Sequence, residues 1–454
     1  MRPLLRRGSI SATVTRRSVR RNIELRGGVF PAMNSGKLTF AGLMLVLVAC
    51  SGGASGGSPS PEAPRQPVSG NNAGAASPAS LASNPPVANS AITAPPGFTV
   101  QVIGNVSGAR ELAFVSNGDL IVGSGGGSVS LVPHADASGG AGTASTYANV
   151  GDNPAAGVAF GNGYVYISTQ HALWRTPYHN GDQKASALKK IARYRQGQVA
   201  PHSDGDVHTS ASVTLTTTHA FIGIGSSCNA CTEVDPTRAT VQRTSLDGSG
   251  MSTYATRFRN AIALAANPAT GTVWAGGAGQ DNLPIGHPYE FIDSLTIHTA
   301  VADYGWPVCE ENRHTYTPGA DCSHTVIPRV EFPAYSTLIG AAFYPNSQSG
   351  PYAFPSSYRG GLFVTAHGSW HVINGHHIPP HVAFVAMNGD NPVTPVNWSN
   401  PTTQWHDFLT GFQNNANNDA RIGRPTGIAV GPQGSLFVAD DLSGNIYRIR
   451  PTGD

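Results

Sequence analysis

The sequence predicts an all-β fold, a six-bladed β-propeller, from its composition and from an internal repeat. Glycine and proline number 54 and 34 among the 454 residues, whereas only 12% of the residues are charged. This composition favours many short strands and turns over long helices. A pair of strands joined by a turn recurs six times from Pro96 onward. The repeats are about 60 residues apart, a spacing that suits propeller blades with long loops.

Each repeat contains an apolar first strand and a strongly β-forming second strand that ends in small residues. The first strands fall at 111–114, 157–160, 212–215, 261–264, 340–343 and 427–430, and the second strands at 119–124, 164–168, 220–225, 272–277, 361–366 and 435–440. Turn residues such as Asn117-Gly118 and Asn162-Gly163 separate the strands of a pair. Because the strand ends are small, we expect the blades to meet closely around a central channel.

The two ends of the repeat region indicate how the ring closes. A strand at 98–103 is expected to pair with the last blade near 445–449. Helical periodicity is nearly absent, and 184–194 is the one candidate helix. A pair of β-sandwiches is the alternative architecture, and the regular repeat disfavours it.

The start of the chain predicts export and lipid anchoring. The apolar run at 43–49 is too short to span a bilayer and is typical of a signal peptide. It ends in Leu-Val-Ala-Cys50, which looks like a bacterial lipobox, so Cys50 is the expected lipidation site. The leader is compact when counted from Met33, which favours that residue as the true start. A long twin-arginine leader around Arg16-Arg17 is the alternative.

A disordered tether is predicted between the lipid anchor and the folded domain. Residues 51–95 contain one Glu, one Arg and no aromatic residue, so they cannot bury enough apolar surface to fold. The expected organisation is a leader at 1–49, a tether at 50–95 and the propeller at 96–454. Because Ser51 replaces the Asp of inner-membrane lipoproteins, we expect a periplasmic protein anchored to the outer membrane.

The charge of the mature chain argues against nucleic acid as a partner. Of 28 basic and 26 acidic residues, nine basic residues and one acidic residue precede Cys50. The remainder is 28 − 9 = 19 basic and 26 − 1 = 25 acidic residues, a net charge of −6. Such a chain has no electrostatic footprint for a phosphate backbone.

The cysteines also agree with export. Lipidation of Cys50 leaves four cysteines, in the local pairs Cys228/Cys231 and Cys309/Cys322. Two local disulfides are the natural arrangement in an oxidising compartment. A zinc site made of the same four thiols is the alternative.

Residues at the entrances of the blades are the first candidates for chemistry. His208 precedes the third repeat and could act as a general base, although a satisfied surface histidine is the alternative. Arg259-Asn260 and Arg424 precede the fourth and sixth repeats. Two guanidinium groups at equivalent positions of two repeats could bind one anion in the channel, or each could bind carbonyls of the neighbouring blade.

Other polar motifs are less specific. The histidines at 367, 371, 376, 377 and 381 could bind a transition metal or form a solvated loop. Asp204 and Asp206 could be calcium ligands or ordinary loop acids. The pair Asp440-Asp441 suggests a turn or a contact between blades. No P-loop, G-x-S-x-G or H-E-x-x-H motif is present.

Five segments, in order, resemble the soluble glucose dehydrogenase and L-sorbosone dehydrogenase family. They are Gly225-Ser-Ser-Cys-Asn-Ala-Cys231, Arg259-Asn-Ala-Ile-Ala-Leu-Ala-Ala-Asn-Pro-Ala-Thr-Gly-Thr-Val-Trp274, Asp303-Tyr-Gly-Trp-Pro307, His367-Gly-Ser-Trp370 and Gly423-Arg-Pro-Thr-Gly-Ile-Ala-Val-Gly-Pro-Gln-Gly-Ser-Leu-Phe-Val-Ala-Asp-Asp441. The resemblance covers roughly 97–451. It implies a six-bladed propeller that holds pyrroloquinoline quinone (PQQ) and Ca²⁺ at the mouth of the channel. The implied reaction oxidises an aldose or aldehyde and passes electrons to an external acceptor.

The resemblance also assigns roles to particular positions. His208 falls on the catalytic base, which takes the substrate hydroxyl proton while hydride moves to the quinone. The positions that fall on or near the cofactor are Arg259, Asn260, Tyr335, His367 and Arg424. Main-chain oxygens near Gly279 and Gln280 are the implied calcium ligands.

The chain departs from the family pattern at several of these places. The family usually has Arg where Ala211 stands, Asn-Arg where His371-Val372 stands, His where Tyr335 stands, and an acid or amide where Ala278 stands. Loss of basic residues would weaken binding of an anionic cofactor by about 1–3 kcal/mol each. A non-catalytic propeller that binds a sugar or a protein is therefore the main alternative. A metal-dependent lactone hydrolase is a third, but no set of acidic and amide ligands is evident.

Overall fold

The computed structural model describes residues 83–84, 87–89, 91–194, 197–295, 300–310, 312–370, 376–413 and 420–453. All of them fall in one compact unit, Ser77–Asp454. The strands form six principal sheets, each a blade, and the innermost strands contact one another around a closed ring. The predicted six-bladed β-propeller is confirmed, and the sandwich alternative is wrong.

Each blade is an antiparallel sheet of four strands, and the blades are numbered in chain order. The strands of each blade are given from the innermost to the outermost. Blade 1 contains Ala109–Phe114, Leu120–Ser124, Ser128–Val132 and Ser145–Asn149; blade 2 contains Gly157–Gly161, Tyr164–Ser168, Ala172–Pro177 and Lys189–Arg193; blade 3 contains Ala211–Leu215, His219–Ile224, Thr240–Ser245 and Ser252–Thr256; blade 4 contains Ala261–Ala266, Val273–Gly277, Glu290–Ser294 and Val330–Phe332; blade 5 contains Leu338–Phe343, Leu362–Ala366, His381–Val385 and Trp405–Leu409; blade 6 contains Pro425–Val430, Leu436–Asp440, Asn445–Pro451 and Phe98–Asn105.

Short elements decorate this ring. Val87–Ala88 adds an outer strand to blade 6, and Ala302–Asp303 adds a parallel strand to blade 3. There are also three two-stranded ribbons. They pair Ser83–Asn84 with Ala141–Gly142, Cys309–Glu310 with His314–Thr315, and Met387–Asn388 with Asn391–Pro392. The single helical turn among the described residues is a 3₁₀ helix at Ser356–Tyr358. None of the described residues forms a helix long and apolar enough to cross a membrane.

The ring closes where the sequence predicts. Strand Phe98–Asn105 pairs antiparallel with Asn445–Pro451, with Val100 opposite Ile449. The two ends of the domain thus share one blade, and their backbone hydrogen bonds leave no open strand edge between the first and last repeats.

Small residues let neighbouring blades approach each other. A Cβ atom on Gly223 of blade 3 would lie 1.7 Å from the carbonyl oxygen of Ala261 in blade 4. Likewise, a Cβ atom on Gly123 of blade 1 would lie 2.1 Å from the carbonyl oxygen of Ala156, which leads into blade 2. Real side chains never approach backbone so closely, so the small strand ends are a packing requirement of the ring.

The hydrophobic core is divided among the interfaces between blades. Trp274 of blade 4 is fully buried against Phe343 of blade 5, with ring centroids 5.9 Å apart. Between blades 5 and 6, Phe98, Phe354 and Phe408 form edge-on and tilted ring contacts. Truncating a buried Phe of this kind to Ala typically costs about 3–5 kcal/mol.

One sequence prediction about the blades is wrong. The segment 184–194, the candidate helix, instead contains the outer strand Lys189–Arg193 of blade 2. Ala192 pairs with Leu173, and the Lys190 ammonium lies 4.6 Å from the ring centre of Trp174. Tertiary pairing at the edge of a sheet overrides local helical preference. The leader, Cys50 and most of the predicted tether lie outside the described residues.

Candidate functional site

The candidate site lies at one mouth of the channel, which we call the site mouth. It is formed by the loops that lead into the inner strands and by the loops that follow the second strands. His208, Arg259-Asn260 and Arg424 lie on loops of the first kind, and Gly279 and His367 on loops of the second kind. The fold therefore brings the predicted residues to one end of the ring.

Below the mouth, the inner strands enclose a channel of about 320 Å³. Glu111 lines this channel, and its carboxylate accepts the backbone N–H groups of Val158, at 3.2 Å, and Val213, at 3.3 Å. Burial raises the pKa of Glu111 well above its usual value, although these N–H groups and the Arg110 charge oppose the rise. A single carboxylate thus bridges the inner strands of three blades.

His208 is oriented by the loop that follows the second strand of blade 3. Its Nδ1 lies 3.1 Å from the main-chain oxygen of Ser226 and 2.9 Å from Ser226 Oγ, while that hydroxyl donates to the carbonyl of Cys228 at 2.7 Å. Because a carbonyl oxygen only accepts, this geometry assigns the proton to Nδ1. Nε2 is then the nitrogen with the basic lone pair, as a general base requires.

Close packing fixes His208 beside Asn260. A Cβ atom on Gly225 would lie 2.5 Å from His208 Cβ and 2.5 Å from Asn260 Oδ1. Glycine at 225 is therefore what allows the predicted base and the predicted cofactor residue to share this wall.

Arg259 is almost completely buried at the entrance of blade 4. Its Nε donates to the carbonyl of Asn229 at 3.0 Å, and its Nη2 donates to Asn229 Oδ1 at 2.9 Å and to Asp281 at 3.4 Å. Burial lowers the pKa of Arg259, and the Asp281 charge opposes this change. The guanidinium group thus binds the loop of neighbouring blade 3, as the alternative interpretation expects.

Arg424 has the same kind of contact at the entrance of blade 6. Its Nε donates to the carbonyl of His367 at 3.0 Å, and its Nη2 donates to the carbonyl of Gly368 at 2.8 Å. Both acceptors belong to the loop of blade 5. Burial lowers the pKa of Arg424 to about 10, so the group stays charged at neutral pH.

A charged network joins His367 to the far side of the mouth. His367 Nε2 lies 3.0 Å from Asp441 Oδ1, and Arg110 Nη1 donates to Asp441 Oδ2 at 2.8 Å. Arg110 Nη2 also donates to Ser210 Oγ at 3.1 Å. Burial lowers the pKa of His367 to about 4, against the opposing effect of Asp441. The imidazole is thus neutral near pH 7 and donates from Nε2 to the carboxylate.

Arg110 is a site-mouth residue that the sequence analysis misses. It belongs to the inner strand of blade 1 and touches Ser210, the residue before Ala211. A signal for it exists, because Arg110, like Arg259 and Arg424, stands at the start of a first strand. Ser226, which orients His208, lies in the Gly225–Cys231 segment of the family resemblance, but the sequence analysis assigns it no role.

The predicted calcium segment lies against a buried acid. The Gly279 N–H donates to Glu290 at 3.4 Å, and the buried Gln280 side chain donates to the carbonyl of Pro307 at 3.1 Å. Burial raises the pKa of Glu290 to about 8, while N–H groups of Thr337 and Gly279 oppose the rise.

Tyr335 lies in the loop before the inner strand of blade 5. Its backbone φ is 73°, and its buried ring meets His376 edge-on at 5.6 Å. The Ser369 hydroxyl donates to its carbonyl at 3.3 Å. The left-handed backbone is unusual for an aromatic residue and is held by this contact with the neighbouring loop.

The remaining motifs resolve into structural contacts. Asp206 is paired with Arg238, and Asp440 accepts the backbone N–H groups of Arg424, Leu442 and Ser443. Asp441 bridges blades through Arg110 and His367. The charge of Asp204 acts to raise the pKa of the nearby Arg259. His371 and Val372 lie outside the described residues.

The cysteines form the two local pairs. The structure joins Cys228 to Cys231, with Cα atoms 6.2 Å apart, and Cys309 to Cys322, with Cα atoms 5.7 Å apart. In the described part of the chain, the one cluster of three potential metal ligands is Cys228, Cys231 and Glu233. Since both sulfurs of that cluster are in a disulfide, a zinc site made of these thiols is not supported there.

Comparisons with known proteins agree with this architecture. A TrAA12-like family model matches residues 292–452. A Trichoderma reesei structure of Carbohydrate-Active Enzymes Family AA12 is 18% identical, with a TM-score of 0.64 over 83% of this chain and 100% of that one. The holo form of a pyranose dehydrogenase PQQ domain from Coprinopsis cinerea is 19% identical, with a TM-score of 0.63 over 79% and 97% of the two chains.

Two further similarities extend to bacteria. The PQQ-bound aldose sugar dehydrogenase of Streptomyces coelicolor is 15% identical, with a TM-score of 0.51 over 79% of this chain and 99% of that one. An uncharacterized protein of Borreliella burgdorferi is 26% identical over 195 residues, 42% of this chain. That match spans 46% of the relative's own length, less than half of it.

The fold places the chain in the class of six-bladed propellers, whose solved members include PQQ-bound sugar dehydrogenases. The resemblance predicted from the sequence motifs is confirmed at that level, and the family model that matches within the class is TrAA12-like. At identities of 15–19% the solved structures show the shared fold. Activity therefore has to be argued from the residues of this chain.

Proposed function

We propose that this protein is a PQQ- and Ca²⁺-dependent dehydrogenase that oxidises an aldose sugar or an aldehyde and passes the electrons to an external acceptor. One observation carries the proposal. His208, with Nδ1 against the Ser226 carbonyl, shares the site mouth with the guanidinium groups of Arg110, Arg259 and Arg424. A base beside a ring of cations suits the oxidation of a hydroxyl next to a polyanionic cofactor.

The donor groups of the mouth fit a quinone that bears several carboxylates. Arg424 uses two of its five N–H donors on main-chain carbonyls, so its planar fork is already fixed in position. Arg110 donates a hydrogen bond to Ser210, the residue before Ala211. The family usually has Arg at the position of Ala211. We propose that Arg110 supplies the cation missing at Ala211. Asn260 adds an amide on the His208 side, and Tyr335 and His367 lie on the side of blade 5.

The chain's own residues account for handling of the proton. PQQ, when bound, would supply the two-electron acceptor, and main-chain oxygens at Gly279 and Gln280 would hold a Ca²⁺ ion that acts as its Lewis acid. His208 Nε2 takes the proton of the substrate hydroxyl. The Ser226 carbonyl holds the Nδ1 proton and stabilises the imidazolium that results. Asp441 keeps the neutral His367 ring oriented between Arg110 and Arg424.

A reconstitution assay tests the proposal. PQQ and Ca²⁺ are added to the purified chain, and reduction of an artificial dye is followed with a panel of aldoses and aldehydes. We expect dye reduction that requires the quinone and falls by at least about 100-fold in His208→Ala. Absence of both quinone binding and activity would instead support the alternative, a non-catalytic propeller that binds a sugar or a protein.

We also propose that the domain is exported and anchored through Cys50. Two disulfides at the propeller's surface loops suit an oxidising compartment. Expression in a bacterial host, with and without Cys50→Ala, tests the anchor. Wild type should fractionate with membranes and the variant with soluble periplasm, whereas equal fractionation of the two would exclude lipidation at Cys50.

A further inference from the structure

The loop that carries His208 needs an external anchor. It connects the outer strand of blade 2, which ends at Arg193, with the inner strand of blade 3, which begins at Ala211. Within 194 and 197–210, the described part of this loop, there is no strand or helix. Connections of this length are usually mobile, whereas a catalytic group has to be held to within about 0.5 Å.

Asp206, two residues before His208, is bound by a fully buried arginine. Arg238 Nη1 donates to Asp206 Oδ1 at 2.8 Å, and Nη2 donates to Oδ2 at 2.8 Å. The Arg238 side chain is 0% exposed and that of Asp206 19%. The Gln170 amide donates a third hydrogen bond to Oδ2 at 2.7 Å. Two parallel charge-assisted bonds fix orientation as well as distance.

The two donors to Asp206 come from different blades. Arg238 lies two residues before strand Thr240–Ser245 of blade 3, and Gln170 follows strand Tyr164–Ser168 of blade 2. The loop is therefore tied to both blades that it connects. Ser226, which contacts the His208 ring, lies on the same blade 3 loop as Arg238, so the base and its partner share one support.

We infer that Arg238 is a positioning residue for His208 and acts through Asp206. This inference rests on the proposed function, in which His208 is the proton acceptor. The clamp holds the loop so that His208 Nδ1 stays against the Ser226 carbonyl. It thereby selects one tautomer and one ring position, and it makes no contact with substrate.

The variants Arg238→Lys and Asp206→Asn test the clamp in the full chain. Lysine keeps the charge but cannot donate two parallel bonds, and asparagine keeps the shape but loses one acceptor. We expect kcat to fall by about 10- to 100-fold, with KM and PQQ affinity unchanged within about twofold. The ¹⁵N NMR signals of His208 in the cofactor-free chain should change from one tautomer to a mixture.

Arg450→Lys is the matched control. Arg450 is a similarly buried arginine, 8% exposed, that donates to Asp136 at 3.1 Å in the contact between blades 6 and 1. The Arg450→Lys substitution should lower the melting temperature of the protein while leaving kcat and the His208 tautomer unchanged. If Arg238→Lys behaves like this control, the clamp is only structural and the inference is wrong. Because the NMR measurement needs no cofactor, it decides the inference even if the wild type reduces no dye.

Discussion

At the scale of single residues, the site depends on how each buried charge is partnered. Their positions in the strand repeat predict that Arg259 and Arg424 lie at blade entrances, and the structure has both of them there. Spacing along the chain does not show which neighbouring loop receives a guanidinium group, so the carbonyl partners at Asn229 and His367 emerge only from the structure. Arg110 stands at the same position in its repeat, and its partner Asp441, 331 residues away, likewise emerges only from the structure.

Arg110→Gln tests the cation that we assign to the mouth. Removing it should weaken PQQ binding by about 10- to 100-fold, the usual worth of a charge-assisted hydrogen bond. Fluorescence or calorimetric titration measures the affinity. Arg175→Gln is the matched control, since Arg175 of blade 2 donates to the carbonyl of Leu246 in blade 3, away from the mouth. Equal affinities in the two variants would exclude Arg110 from the cofactor site.

Glu111→Gln tests the buried acid of the channel. The pKa of Glu111 is raised in the folded protein, chiefly by burial, while Arg110 and two N–H donors oppose the rise. The stabilising effect of protonation is thus complete below the unfolded-state pKa and is lost as pH rises through the folded-state pKa. Chemical unfolding between pH 4 and pH 9 should show wild type losing more stability with rising pH than Glu111→Gln, by about 1 kcal/mol or more. Parallel curves would contradict this assignment.

At the scale of elements, the strand pairs follow from the sequence and their outer partners do not. All six predicted first and second strands are present, because short apolar, β-forming runs separated by turn residues specify hairpins locally. The outer strand Lys189–Arg193 has a mixed, half-exposed pattern, so only its pairing with Ala172–Pro177 makes it a strand. The segment at Gly279, predicted to bind calcium, lies next to Glu290 through strand pairing that no local pattern indicates.

Gly223→Ala tests the close approach of blades 3 and 4. Its added Cβ would lie 1.7 Å from the Ala261 carbonyl oxygen, so the blades must separate. We expect a loss of about 3 kcal/mol in unfolding free energy, in the range for overpacked cores. Gly104→Ala, which has no atom within 4 Å of the added Cβ, should change stability by less than about 0.5 kcal/mol. Similar values for both variants would contradict the packing argument.

At the scale of the whole molecule, ring closure places the candidate residues at one mouth. Strand Phe98–Asn105 completes blade 6, so the blade entrances that carry Arg424, Arg110 and His208 converge although they are far apart in sequence. The sequence motifs predict this architecture, because repeat number and terminal strands determine a closed ring. They do not determine whether the departures at Ala211 and His371-Val372 leave a functional cofactor site.

Anaerobic mixing of the PQQ- and Ca²⁺-loaded protein with an aldose tests the central claim most directly. Loss of the oxidised quinone absorbance in a single turnover would show that the chain itself carries out the oxidation. We predict rapid loss in wild type, and in His208→Ala normal quinone binding with loss at least about 100-fold slower. A loaded wild-type protein whose quinone spectrum stays unchanged with every aldose and aldehyde would contradict the dehydrogenase account.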